Sequence, residues 1–162
     1  MDNNGLNIFV VAGEGGHFEQ ARRVTSELVD RGALVALYSD HSSSSGLRNV
    51  NRLKNISAYS KGSGVRARLQ LLLGLASLFF YALRELRRSS PSLLVSTGPV
   101  ICIPFVLAAR WKGIRVVHIE TWSRFKSRSK TGVVCYLLAN HFFYQNRSLS
   151  ELYPSGDYSG RL

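Results

Sequence analysis

Asn7-Ile8-Phe9-Val10-Val11-Ala12-Gly13-Glu14-Gly15-Gly16-His17 is the stretch on which the fold turns. The first six residues, rich in β-branched and aromatic side chains, predict a buried strand. The glycines at 13, 15 and 16 then predict a tight turn. Beyond them Phe18, Ala21, Val24, Thr25, Leu28 and Val29 recur at helical spacing. Strand, glycine loop and helix in this order make the first half of a βαβ unit.

Working outward, Arg31-Gly32 stops the helix and residues 33–38 form a second apolar strand, with the serine-rich segment 42–45 read as a loop. A weaker strand is expected at 55–59, a long helix at 65–88, a fourth strand at 92–96, a helix at 100–111 and a fifth strand at 114–119. Such alternation predicts an α/β fold with a Rossmann-like parallel sheet and helices on both faces. Ligands then gather beyond the carboxyl ends of the strands. Three loops lie there: 13–17, Thr97-Gly98-Pro99, and 120–124. Residues 1–162 are read as a single domain, with 148–162 as a surface tail available to dock a partner.

Charge narrows the partners. The 21 Lys and Arg against 10 Asp and Glu leave a net charge of +11, which favours phosphate groups, nucleic acid or an acidic membrane surface. No Walker loop, zinc cluster or RNP aromatic pattern is present, so nucleotide hydrolysis, metal catalysis and nucleic-acid recognition are set aside, and neither metal nor cofactor is expected. Cys102 and Cys135 lie in apolar runs without CxxC spacing and read as buried free thiols. Residues 1–7 carry neither a basic n-region nor an apolar h-region, so the chain is expected on the cytosolic side.

The run 69–83 is almost uncharged, falls short of the roughly 20 residues of a spanning helix, and is bracketed by Arg66, Arg68, Arg84, Arg87 and Arg88. On a helical wheel Leu69, Leu72, Leu73, Ala76, Phe79, Phe80 and Leu83 make one stripe, and Leu71, Leu75, Leu78 and Ala82 another. One core takes only one of them. The other is buried as well if the helix is sandwiched between the sheet and its neighbours, or is free for a membrane or a partner; Leu71, Leu75, Leu78 and Phe79 with Arg84, Arg87 and Arg88 are taken as the membrane-facing set.

Glycines between a strand and a helix let a ligand approach the backbone, and the helix N-terminus presents free N–H groups to it, so a phosphate or diphosphate suits the 13–17 loop. A tight turn without a ligand explains the same residues. A dinucleotide site would want a small residue where Phe18 stands, although Asp40 follows the second strand where a ribose-binding acid would sit. His17 is a candidate base beside an anion, or a structural hydrogen-bond partner. Glu120 is a second candidate, or a cap, or the salt-bridge partner of Arg124. Residues 124–130 alternate cations with small polar residues and suit phosphate.

Four ordered blocks carry a resemblance: Gly15-Gly16-His17; Ser96-Thr97-Gly98-Pro99; Glu120-Thr121-Trp122-Ser123-Arg124 through Ser129-Lys130-Thr131-Gly132; and Phe143-Tyr144-Gln145 leading to Tyr153-Pro154 and Tyr158-Ser159-Gly160. Across essentially its whole length the chain resembles the accessory subunit of the dolichol-linked N-glycan GlcNAc transferase and its bacterial PssD-type exopolysaccharide relatives. That resemblance implies the amino-terminal lobe of a GT-B glycosyltransferase. Such a lobe binds a polyprenyl-diphosphate-linked acceptor at the cytoplasmic face of the membrane. It also recruits a separate catalytic subunit that holds the UDP-sugar, and 162 residues are too few for both lobes. A wider similarity to the murein lipid-linked GlcNAc transferase implies that Gly13, Gly15, Gly16, Thr97, Gly98 and Arg124 surround the acceptor diphosphate. It also implies His17 as the base of an inverting attack, with Glu120 at the acidic position after strand five. Glu14 departs from the small residue common at that position and is expected to face outward.

Overall fold

A computed structural model describes residues 6–40, 50–53 and 64–161. The order of elements is β1 (Asn7–Ala12), α1 (Gly16–Asp30), β2 (Leu34–Ser39), β3 (Val50–Arg52), α2 (Val65–Ser89), β4 (Leu93–Ser96), α3 (Cys102–Trp111), β5 (Arg115–Ile119), α4 (Lys130–Leu138), β6 (His141–Tyr144), a 3₁₀ turn (Arg147–Leu149) and β7 (Asp157–Tyr158). The seven strands form one sheet in the order β3-β2-β1-β4-β5-β6-β7, and every pair is parallel. The expected α/β parallel sheet is present. The readings of 42–45 as a loop and of 55–59 as a strand lie outside the described residues.

Period-two alternation along the strands divides the core. Phe9, Val11, Leu94 and Val116 face one side and pack with α2, α3 and α4 around Phe105, Val106 and Ala109. Ile8, Val10, Ala12 and Val95 face the other, against Phe18 and Ala21 of α1. With both faces covered the strands carry continuous apolar runs, which is why β1 is legible from composition alone. Strand order reverses between β1 and β4, whose following loops are 13–16 and 97–101, so the switch point of the sheet lies between them.

The tail is not a surface extension. Leu149 and Tyr153 are fully buried and pack with Phe142 and Tyr144 in a third cluster, and β7 adds to the sheet beside β6. The sparse apolar residues of 148–162 conceal this, because among the described residues only two of them, Leu149 and Tyr153, are fully buried.

The membrane-facing assignment of α2 is reversed at its centre. Leu78 is 6% exposed and, with Ala82 and Leu86, faces α3, while Leu71, Leu75 and Phe79 are half-buried against the same core. Leu86 extends the 71-75-78-82 row by one turn, and this row takes the core. The other row is outside: Leu69, Leu72, Leu73 and Phe80 are exposed, Leu72 at 62% and Phe80 at 69%. Arg84, Arg87 and Arg88 are exposed as expected.

The helix itself spans Val65–Ser89, within one residue of the expected 65–88. Its 25 residues include a window of mean hydropathy 1.4, sufficient by length and composition to cross a bilayer. Its inner row is nevertheless a layer of the α/β sandwich, a packing that suits a helix lying on a surface. Fractionation separates the two rows. Leu72→Ser with Leu73→Ser is expected to shift the chain from membrane to soluble fraction without lowering its melting temperature. Leu78→Ser is expected to lower the melting temperature and leave partitioning of the folded fraction unchanged.

Candidate acceptor site

The loops after β1 and β4 are stitched to each other. Thr97 Oγ1 donates to the His17 carbonyl at 3.1 Å, and His17 Nδ1 lies 2.7 Å from the Thr97 carbonyl. A carbonyl only accepts, so Nδ1 carries the proton and Nε2 keeps its lone pair. Burial lowers the His17 pKa; the Thr97 carbonyl and the charge of Glu120 oppose that, and Arg124 adds to it. The ring is therefore neutral at physiological pH and able to accept a proton at Nε2.

The glycines serve different ends. Gly15 takes φ +67 as the residue preceding α1, a conformation that favours glycine. Gly13 is buried, and a Cβ there would overlap Cγ and Cδ of Pro99, so close packing of the two loops by itself requires a glycine. A Cβ on Gly16 would meet Trp122 Nε1 at an ordinary 3.6 Å. Glu14 is exposed, as expected.

Glu120, at the end of β5, is 2% exposed and is the hub of the third loop. Oε1 accepts from the Thr121 N–H at 3.0 Å, Ser129 Oγ reaches both carboxylate oxygens at 3.0 and 3.1 Å, and the Tyr153 hydroxyl donates to Oε2 at 2.7 Å. Ser129 is also the N-cap of α4, its oxygen accepting from the Gly132 N–H at 2.7 Å. The carboxylate thus ties β5, α4 and the C-terminal segment together. Arg124 donates to Ser127 Oγ at 3.3 Å, and no ion pair joins it to Glu120 among the described residues.

The 120–125 loop is latched by the segment that follows β6. Gln145 Nε2 donates to the Glu120 carbonyl at 2.9 Å, Asn146 Nδ2 to the carbonyls of Trp122 and Arg124 at 2.8 and 2.5 Å, and Ser148 Oγ to that of Phe125 at 2.6 Å. Arg23 of α1 stacks over Trp122 at 5.3 Å. Beneath the site His118 is fully buried, 3.0 Å from Ser96 Oγ and stacked on Phe142, and burial, helped by nearby His17, lowers its pKa to about 3. Ser129, Gln145 and Tyr153 fall within the blocks that carry the resemblance but are given no role by the sequence, and Asn146 and His118 escape it altogether. Ser129 also carries a local signal, a serine before Lys130-Thr131-Gly132 and an apolar run, which is an N-cap pattern.

These loops enclose a cavity of about 480 Å³. Of the residues singled out in the sequence, His17, Gly98, Glu120, Arg124 and Leu71 line it; Gly13, Gly15, Gly16 and Thr97 shape the loops without lining it. Lys130 and Thr131 at the start of α4 join Arg124 on the polar side, while Pro99, Val100 and Ile103 join Leu71 on the apolar side. Asp40, the alternative ribose-binding acid, is buried close to Gly13 and is not among the lining residues. Neutral base, buried carboxylate and two cations around one cavity can bind an anion and remove a proton from a hydroxyl beside it.

A family model described as "Oligosaccharide biosynthesis protein Alg14 like" matches residues 8–162. The chain belongs to this Alg14-like family. Among curated relatives it is 27% identical over 181 residues to the rat UDP-N-acetylglucosamine transferase subunit ALG14, covering 97% of this chain and 83% of that protein. It is 25% identical over 185 residues to the Kluyveromyces lactis protein of the same description, covering 97% and 78%.

Solved structures agree on the fold. Acinetobacter baumannii MurG superposes with TM-score 0.66 at 17% identity over 87% of this chain, and UDP-GlcNAc 2-epimerase of Methanocaldococcus jannaschii with 0.69 at 14% identity over 93%. The Alg14-like chain spans 41% and 43% of those two proteins.

Proposed function

We propose that this Alg14-like chain is the acceptor-binding, membrane-recruiting subunit of a two-component inverting glycosyltransferase. Its partner is a catalytic subunit holding a UDP-sugar, and its acceptor is a polyprenyl-diphosphate-linked saccharide in bacterial polysaccharide biosynthesis, as in PssD-type systems. The observation that carries the reading is one cavity lined together by His17, Glu120 and the cations Arg124 and Lys130. Family membership supports the subunit role: the rat and yeast relatives are described as subunits of a UDP-GlcNAc transferase.

In this reading Arg124 and Lys130 neutralise the acceptor diphosphate, with the first turn of α4 adding its partial positive charge. His17 Nε2 takes the proton of the acceptor hydroxyl as that oxygen attacks the anomeric carbon, and the bond to UDP breaks on the opposite face. Glu120, saturated by Thr121, Ser129 and Tyr153, is a positioning group and not a second base. The exposed row of α2 and the flanking arginines hold the chain on the anionic cytoplasmic surface of the membrane, peripheral or monotopic.

The test is reconstitution. The chain alone is expected to bind a prenyl diphosphate acceptor and to transfer no sugar, and activity is expected only when the second subunit, recovered by pull-down and mass spectrometry, is added. Transfer by the isolated chain would overturn the two-component reading. Unchanged turnover of the assembled complex with His17→Ala would instead make the chain a non-catalytic scaffold.

A further inference from the structure

The cavity has two chemical halves. His17, Glu120, Arg124 and Lys130 make one, and the side chains of Leu71, Pro99, Val100 and Ile103 make the other. A ligand consisting only of diphosphate has no use for the second half, which would hold poorly satisfied water. A nucleoside is no better match, because among the described residues the lining offers no aromatic ring besides His17 on which a base could stack. An anionic head joined to a short branched aliphatic chain uses both.

The position of Leu71 extends the point. It lies on the turns of α2 that also carry Leu69, Leu72 and Leu73, all three exposed, whereas the inner row below it, Leu78, Ala82 and Leu86, is closed off in the core. From the cavity, Leu71 therefore leads to the outward-facing apolar row. Leu71, Val100, Pro99 and Ile103 are each half-buried and keep apolar surface open, while their neighbours Ile101, Cys102 and Phe105 are fully buried.

We infer that the Leu71–Pro99–Val100–Ile103 wall is a subsite for the first isoprene units of the acceptor, with the rest of the chain leaving along the outer row of α2. This deepens the acceptor reading above and rests on it. It makes the protein selective for the lipid portion of its acceptor and not only for the charge of the diphosphate.

Titration of the purified full chain at low salt with inorganic diphosphate and with geranyl diphosphate, followed by calorimetry, tests the subsite. Geranyl diphosphate is expected to bind at least tenfold more tightly. Leu71→Ser or Ile103→Ser should bring it to the level of inorganic diphosphate while leaving the latter's affinity unchanged, and Ile103→Leu should keep the preference. Arg124→Ala should weaken both ligands. Melting curves establish that each variant is folded; if Ile103→Ser is not, Leu71→Ser carries the comparison. Equal binding of the two ligands by the wild-type chain, or a preference that survives the serine variants, overturns the subsite and leaves the anion site standing. Failure of both ligands to bind the folded chain removes the acceptor reading and the subsite together.

Discussion

Gly132→Ala is expected to destabilise the protein by about 3 kcal/mol or more, from overpacking at roughly 1–3 kcal/mol and loss of at least one charge-assisted hydrogen bond at roughly 1.5–3 kcal/mol. A Cβ at this position would overlap Glu120 Oε2 and stand 2.6 Å from the Tyr153 hydroxyl and 2.7 Å from Ser129 Oγ. None of the three can retreat cheaply. Glu120 is buried with its donors already in place, Tyr153 is locked between Tyr136 and Phe142, and Ser129 caps α4. For a domain of this size the expected fall in Tm is about 6–12 °C. Gly16→Ala is the control, since its Cβ meets only an ordinary contact with Trp122, and its Tm should not fall. Equal Tm values for the two variants would mean that the Glu120 hub is not packed as described.

His17→Ala is expected to lower kcat of the assembled complex by about 10²–10⁴-fold, the usual contribution of a positioned base, with little change in KM for the acceptor. Its pH dependence gives a sharper reading. A base must be unprotonated to act, and burial lowers the His17 pKa below 6.5, so kcat/KM should be flat near neutrality and fall only on the acid side of that value. The charge of Glu120 raises this pKa and that of Arg124 lowers it. Glu120→Gln should therefore move the acid limb to lower pH, and Arg124→Ala should move it to higher pH. Limbs that stay fixed in both variants would assign the titration to another group.

The residues differ in how much of their role a linear reading can reach. β1 and its glycine loop are local: four consecutive strand formers, Ile8 to Val11, followed by glycines and a 3.6-residue period predict the boundary that the structure shows, because both faces of the sheet are covered and no alternation is required. The same holds for β4 and β5, found within about one residue of expectation. β7, two residues long, is too short to carry a period and pairs only with β6. The two rows of α2 look alike in composition. What separates them is Leu86, one turn beyond the uncharged run, and the face that α3 presents.

The opening loop is where the two kinds of information meet. By itself the sequence determined a parallel α/β sheet with a glycine turn between β1 and α1 and an imidazole at its end, since these depend on residue type and spacing along a few turns of chain. Only the tertiary structure decided what the loop is for. Gly13 makes room for Pro99, 86 residues away, and Thr97 orients the His17 ring across 80 residues. Tyr153 holds Glu120 across 33 more. Hydrogen-bond geometry and close packing between distant segments leave no periodicity in a sequence, so their consequences appear only once the chain is folded.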